Sequence, residues 1–230
     1  MNISRLLSVA PMMERTDRHC RYFFRLLSQQ TLLYSEMINA NAITKGNKTR
    51  LLNFSEIEHP LALQIGGSDP KLLAEATKIG VDWGYDEINL NVGCPSSRVS
   101  SGDFGAVLMK RKDHVAKCVD AMAQFSSNVP ISVKCRIAVD DQDPEKILPS
   151  FIKTVSNSGV SIFIIHARKA ILSGLSPKDN RKIPPIDYNL VKKIKAQFPK
   201  LEICLNGEIK DLSSVIDFIN EGIDGCMIGR

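Results

Sequence analysis

About eight short apolar or β-branched runs, separated by longer amphipathic stretches, punctuate the chain almost from end to end. The runs cover 6–10, 32–34, 61–65, 87–91, 131–135, 162–166, 202–205 and 225–228. Helical periodicity fills 17–27, 70–79, 113–125, 144–158, 188–198 and 212–220, while 37–54 is loosely patterned. The first helix gathers Tyr22, Phe23, Leu26 and Leu27 on one side. Asp69 followed by Pro70 reads as an N-cap and first helical residue. Strands that look buried on both faces, alternating with helices, mean a parallel sheet with right-handed crossovers. Eight of them in one chain predict an α/β fold of the (β/α)8 TIM-barrel type. An open doubly wound sheet fits less well, because no G-x-G-x-x-G follows the first strand.

Length and composition agree with one such domain over 1–230, since 230 residues, 43% hydrophobic and 24% charged, suit a single soluble barrel. The last run ends at Ile228 and the sequence at Arg230, so the helix expected to cover the eighth strand is missing. The expectation is a barrel incomplete at its C-terminus, a fragment or a truncation, with no second domain. No apolar run approaches the ~18 residues of a membrane span, and the charged segment 14–18 argues against a signal peptide. Cys20, Cys94, Cys118, Cys135, Cys204 and Cys226 are scattered without a C-x-x-C pair. That pattern suits reduced thiols in a cytoplasmic protein with no metal site. A net charge of +5 permits a polyanionic partner without requiring one.

In a barrel, chemistry gathers at the carboxyl ends of the strands. Cys94 sits there, in Leu90-Asn91-Val92-Gly93-Cys94-Pro95-Ser96, with flanking residues that belong to a loop mouth rather than a core. The other strand ends bring Pro11, Met12 and Met13, Gln64, Asn91, Lys134, His166 with Arg168, Asn206, Gly207 and Glu208, and Gly229 with Arg230. Polar groups taken from water need partners, and so many on separate strands point to one shared ligand. Gly207 and Gly229 follow the last two strands, where barrels commonly hold phosphate. Lys134 and His166 offer donors to an electron-rich ring, and Gln64 both donates and accepts. Reduced flavin mononucleotide has these needs. Arg98, Lys169, Lys178, Arg181 and Lys182 lie in loops on the same face, suited to gripping nucleic-acid phosphate.

Three segments carry a resemblance: Ser8-Val9-Ala10-Pro11-Met12-Met13 with Thr16-Asp17-Arg18, Asn89-Leu90-Asn91-Val92-Gly93-Cys94-Pro95-Ser96, and His166-Ala167-Arg168-Lys169-Ala170 with Gly174-Leu175-Ser176-Pro177-Lys178 and Asn180-Arg181. Together they closely resemble tRNA-dihydrouridine synthases of the A subgroup, along essentially the whole chain. The resemblance implies an oxidoreductase that uses FMN, reduced by NADPH, to turn uridine in the D-loop of tRNA into 5,6-dihydrouridine. It implies Cys94 as the acid that protonates carbon 5 of uracil. It assigns Pro11, Met12, Met13, Gln64, Lys134, His166, Asn206, Gly207, Glu208, Gly229 and Arg230 to FMN, Asn91 to the substrate nucleotide, and Lys178 and Arg181 to tRNA. A free thiol titrates at about 8.5 and is an acid at neutral pH, as that role requires. The other expectation is a catalytically weak or inactive barrel that binds tRNA or a protein partner through its basic loops.

Overall fold

The computed structural model describes residues 3–229, except the side chain of Arg98. The assignments of Arg230 to the cofactor and of Arg98 to phosphate therefore lie outside the described residues. Within them the strands are β1 (Leu7–Val9), β2 (Leu33–Tyr34), β3 (Ile38–Asn39), β4 (Leu61–Gly66), β5 (Glu87–Val92), β6 (Ile131–Arg136), β7 (Ile162–His166), β8 (Glu202–Asn206) and β9 (Gly225–Ile228). The helices are α1 (Arg18–Leu27), α2 (Ala40–Lys45), α3 (Lys48–Leu52), α4 (Pro70–Trp83), α5 (Ser97–Ser101), α6 (Lys112–Ala123), α7 (Pro144–Ser156), α8 (Tyr188–Gln197) and α9 (Leu212–Asn220).

Strand pairs are parallel throughout and run in the order β1-β9-β8-β7-β6-β5-β4-β2. Both β2 and β3 pair with β4, so they share one stave and the barrel has eight. The ring closes where Val9 N–H donates to Leu32 O at 3.0 Å and Leu32 N–H to Leu7 O at 3.1 Å. The TIM-barrel expectation therefore holds.

Alternate residues of each strand face opposite ways, and both faces are buried. Outward-facing Leu63, Ile65, Ile88, Leu90, Val133, Phe163, Ile165 and Leu205 pack under the helices. A separate apolar cluster of Leu32, Tyr34, Ala62, Ile162, Ile164, Cys204 and Met227 fills part of the interior. The rest of the interior is polar, with Glu87, Asn89 and Ser132 fully buried.

The cap signals of α4 behave as read: the Asp69 carboxylate accepts from Lys71 N–H at 2.8 Å and Leu72 N–H at 3.3 Å. The helix runs past its expected end at 79 to Trp83, where Gly84 at φ +100° stops it in the left-handed conformation. In α1 the apolar side is where the sequence put it, but it faces solvent: Phe23, Leu26 and Leu27 are more than half exposed. The buried side carries Arg21 and Arg25. Arg21 Nε donates to Glu58 Oε2 at 2.7 Å, and Arg25 Nη2 donates to the carbonyls of Glu58 and Pro60 at 2.8 and 3.0 Å. Partnered guanidiniums thus win the inner face.

Candidate active site at the carboxyl-terminal rim

The register of the central strands decides which side chains meet. Asn91 pairs with Lys134, Arg136 with His166, and His166 with Asn206. All of these lie in the carboxyl-terminal halves of their strands, at one pole of the barrel, with Cys94 two residues beyond β5. Cys94, Lys134 and His166 therefore share one rim, contributed by three adjacent staves.

The Cys94 turn is held from below. Asn91 Oδ1 accepts from both Gly93 N–H and Cys94 N–H at 3.0 Å. The Cys94 carbonyl accepts from Ala106 N–H at 2.9 Å. Gly105 lies at φ +75°, and a Cβ there would stand 2.7 Å from Cys94 O. The return of the chain against the turn therefore needs glycine. The sequence placed Cys94 at a loop mouth, with no helix expected between it and residue 113. The structure instead starts α5 at Ser97, with Ser96 as its N-cap.

Lys134 is half-buried and donates to Asn206 Oδ1 at 2.9 Å, and Asn206 Nδ2 donates on to Met227 O at 2.8 Å. Burial first, and Arg136 next, pull its ammonium down to about 8. His166 is buried, and among the described residues its ring finds no hydrogen-bond partner. Burial and the surrounding Arg136, Lys134, Arg168 and Arg181 push its imidazole well below the usual histidine value, so it is neutral at pH 7. Gly207, at φ +120°, lies against it: a Cβ would come within 2.8 Å of His166 Cδ2. Gln64 is buried one stave from Asn91 and accepts from Asn91 Nδ2 at 2.8 Å.

Pro11 to Met13 form the turn that leaves β1, with Met12 O accepting from Arg15 and Thr16 N–H at 3.0 Å. Gly229 is exposed beside it; a Cβ there would stand 3.9 Å from Met12 Sδ. Glu208, at φ +55°, turns its carboxylate onto the buried Arg168 guanidinium. Lys178 is exposed and Arg181 half-buried on the loop between β7 and α8.

Arg136 was not singled out from the sequence. It is buried, and no carboxylate pairs with it among the described residues. Its Nε donates to Gly93 O at 3.2 Å, and its Nη1 to the carbonyls of Lys169 at 3.2 Å and Asn180 at 3.0 Å. One side chain therefore ties the Cys94 turn to the basic loop. Burial lowers its guanidinium to about 10. The signal was present, since Ser132, Lys134 and Arg136 alternate along one strand face. The expected strand, however, ended at Cys135.

The rim fits an anionic, planar cofactor such as FMN. It offers buried cations without carboxylate partners, a neutral imidazole with unspent nitrogens, and two glycines where backbone approaches without side chains. Among the described residues, no group of three or more His, Cys, Asp or Glu side chains is placed to hold a metal ion. Among the same residues no helix is long and apolar enough to cross a membrane.

The family model described as dihydrouridine synthase (Dus) matches residues 8–230. The chain is similar to the tRNA-dihydrouridine(20/20a) synthase of Synechocystis sp., 55% identical over 97% of this chain and 66% of the relative. It is also similar to the enzyme of that name from Escherichia coli (strain K12), at 56% identity over 97% of this chain and 64% of the relative. It thus spans about two thirds of the length of the curated relatives it matches. Among solved structures, an old yellow enzyme homologue from Zymomonas mobilis superposes with a TM-score of 0.69 at 12% identity, covering 98% of this chain and 84% of that one. Morphinone reductase gives a TM-score of 0.69 at 11% identity, covering 98% and 82%. At such identities these two likenesses concern the fold alone.

Proposed function

The chain belongs to the dihydrouridine synthase family, and on that premise we propose that it binds FMN and reduces uridine of tRNA to 5,6-dihydrouridine. NADPH is the reductant, and the names of the relatives point to positions 20 and 20a. The observation that carries this reading is the placement of Cys94 on the same rim as Lys134 and His166, its turn held by Asn91.

Reduced FMN, if held at the rim by these residues, would supply the hydride equivalent that reduction at carbon 6 of the base needs. The work of the chain itself follows from its residues. Cys94 gives its Sγ proton to carbon 5, so two hydrogens enter and the C5–C6 double bond becomes single. Solvent then reprotonates the thiolate. Lys134, His166, Gln64 and Asn206 hold the ring, while Pro11 to Met13, Gly207 and Gly229 line the cradle for the rest of the cofactor. Glu208 supports this by neutralising Arg168 and fixing the loop start, with its charge turned aside. The target base must leave its stack, at a cost of about a few kcal/mol. Lys178 and Arg181 offset that cost by gripping phosphate, and Asn91 touches the base.

The test loads the chain with FMN and follows dihydrouridine formation in unmodified tRNA with NADPH. Cys94→Ala is expected to keep the flavin absorbance and lose turnover by about 10²–10⁴-fold. A chain that stays colourless with excess FMN, or a Cys94→Ala variant that turns over normally, would falsify the reading.

A further inference from the structure

Glu87 lies at the start of β5, fully buried inside the barrel and far from the rim in sequence order along the strand. Its Oε2 accepts from Arg5 Nε at 2.7 Å and lies 2.7 Å from Arg5 Nη2 in a buried ion pair. Its Oε1 accepts from Tyr34 O–H at 2.8 Å and from Ser132 Oγ–H. Three donors and the arginine charge thus hold the carboxylate. Ser132 spends its proton on Glu87, so its oxygen must accept, and Asn89 Nδ2 donates to it at 2.7 Å. Asn89 Oδ1 then accepts from Gln64 Nε2 at 2.7 Å. Gln64 Oε1 accepts in turn from Asn91 Nδ2 at 2.8 Å. The chain ends where Asn91 Oδ1 receives Gly93 N–H and Cys94 N–H.

Both ends dictate one direction. Backbone N–H groups can only donate, and a carboxylate gripped by arginine can only accept. Every amide between them has one orientation that satisfies its neighbours, and a flip of any of them would set donor against donor. The cluster is fully buried from Glu87 to Asn89, where an unmet polar group is costly.

We infer that Glu87, Ser132 and Asn89 are positioning residues for the reaction: through Gln64 they fix the Asn91 amide, and through Asn91 they hold the Cys94 turn. This rests on the function proposed above. One consequence concerns the substrate. Both lone pairs of Asn91 Oδ1 are spent and one Nδ2–H is not, so Asn91 offers a nucleobase a donor and no acceptor. It therefore takes a carbonyl oxygen, which uracil presents at two ring positions.

Hydrogen–deuterium exchange on the flavin-free chain, set beside turnover of the FMN-loaded chain, tests the inference. Ser132→Ala breaks the chain of hydrogen bonds, Ser132→Thr keeps the hydroxyl, and Gln64→Met breaks it one link nearer the rim. Amides of Gly93 and Cys94 are expected to exchange about tenfold faster in Ser132→Ala and Gln64→Met than in the wild type, with wild-type rates in Ser132→Thr. Peptides from β7 and β8 keep their protection. In the loaded chain, Ser132→Ala lowers kcat about tenfold at unchanged KM for tRNA, and Ser132→Thr restores it. Unchanged exchange at Gly93 and Cys94 in both broken variants overturns the inference. So does an increase spread evenly over all strands, which marks simple loss of stability. Exchange is read without cofactor, so a wild-type chain that fails to bind FMN sinks the proposed function while the exchange comparison still decides this one.

Discussion

Lys134 is the residue whose chemistry the fold alters in the most measurable way. Its ammonium titrates at about 8 in the folded chain, against an ordinary value of 10.5. Between those values the unfolded chain holds more protons, so the cost of the buried charge is present below about 8 and is relieved as pH rises through the window. A ring whose electron-rich edge accepts a hydrogen bond from Lys134 favours the charged form and reverses that preference. FMN affinity is therefore expected to fall as pH rises from about 7.5 to 9.5, by up to about tenfold per unit. Fluorescence titration of the wild type and of Lys134→Met checks this: the slope should flatten in the variant, and equal slopes would place the cofactor away from Lys134. Lys134 and His166 were legible because a titratable side chain near the end of an apolar strand stands out. Arg136 closes the strand that holds Lys134, one position beyond the expected end at Cys135. The identity of Glu208 alone suggests repulsion of a phosphate, and only its left-handed backbone and its Arg168 partner show the charge to be turned aside.

Among the elements, the long connection from β7 to α8 carries Lys178 and Arg181, proposed above to grip tRNA phosphate, and a buried amide staples it. Asn180 Oδ1 accepts from Ile171 N–H at 2.7 Å, and Nδ2 donates to Ile171 O at 2.8 Å and to Leu175 O and Ser176 O at 3.3 Å. The Asn180 carbonyl in turn receives Arg136. Replacing Asn180 by Ala strips four hydrogen bonds from the loop, a local loss of about 1–3 kcal/mol or more. Trypsin is expected to cut at Lys178, Arg181 or Lys182 several-fold faster in Asn180→Ala, while FMN affinity stays as it was. An unchanged cleavage rate would show that the loop is held by something else. From the sequence this segment was only long and polar, because an amide that staples a loop leaves no periodic trace. Helices were easier to read: α4 announced its start by Asp69-Pro70, and α9 by its periodicity over 212–220. The orientation of α1 was not legible, since the apolar stripe of Tyr22, Phe23, Leu26 and Leu27 gives no hint that Glu58 would draw Arg21 inward.

For the molecule as a whole, alternation of strand and helix was enough to indicate eight staves, but not what fills them. In Glu87-Ile88-Asn89-Leu90-Asn91 every second residue is polar, which in an open sheet would mark a solvent face. In a closed barrel that face is the interior, and its polarity needs an anchor. Arg5 supplies it from the strand-entry pole, joining Glu87 of β5 to Glu202 of β8 across the barrel, with Tyr34 and Ser132 completing the hub. Arg5→Met leaves a buried carboxylate without a cation, and breaking such a pair costs about 3–5 kcal/mol. Urea unfolding is expected to show that loss in Arg5→Met and a similar one in Glu87→Leu, while the double variant loses less than the sum. The pH dependence has a definite sign. Burial, opposed by Arg5 and reinforced by Glu87, already holds the Glu202 carboxyl above its ordinary value. A carboxyl so raised stabilises the fold while protonated, and that contribution is lost as pH rises from its unfolded value through its folded one. Removing Arg5, which opposes that shift, widens the window. Arg5→Met should therefore lie further below the wild type at pH 8 than at pH 5; an equal deficit at both would mean that the hub acts through packing of the arginine stem rather than through its charge.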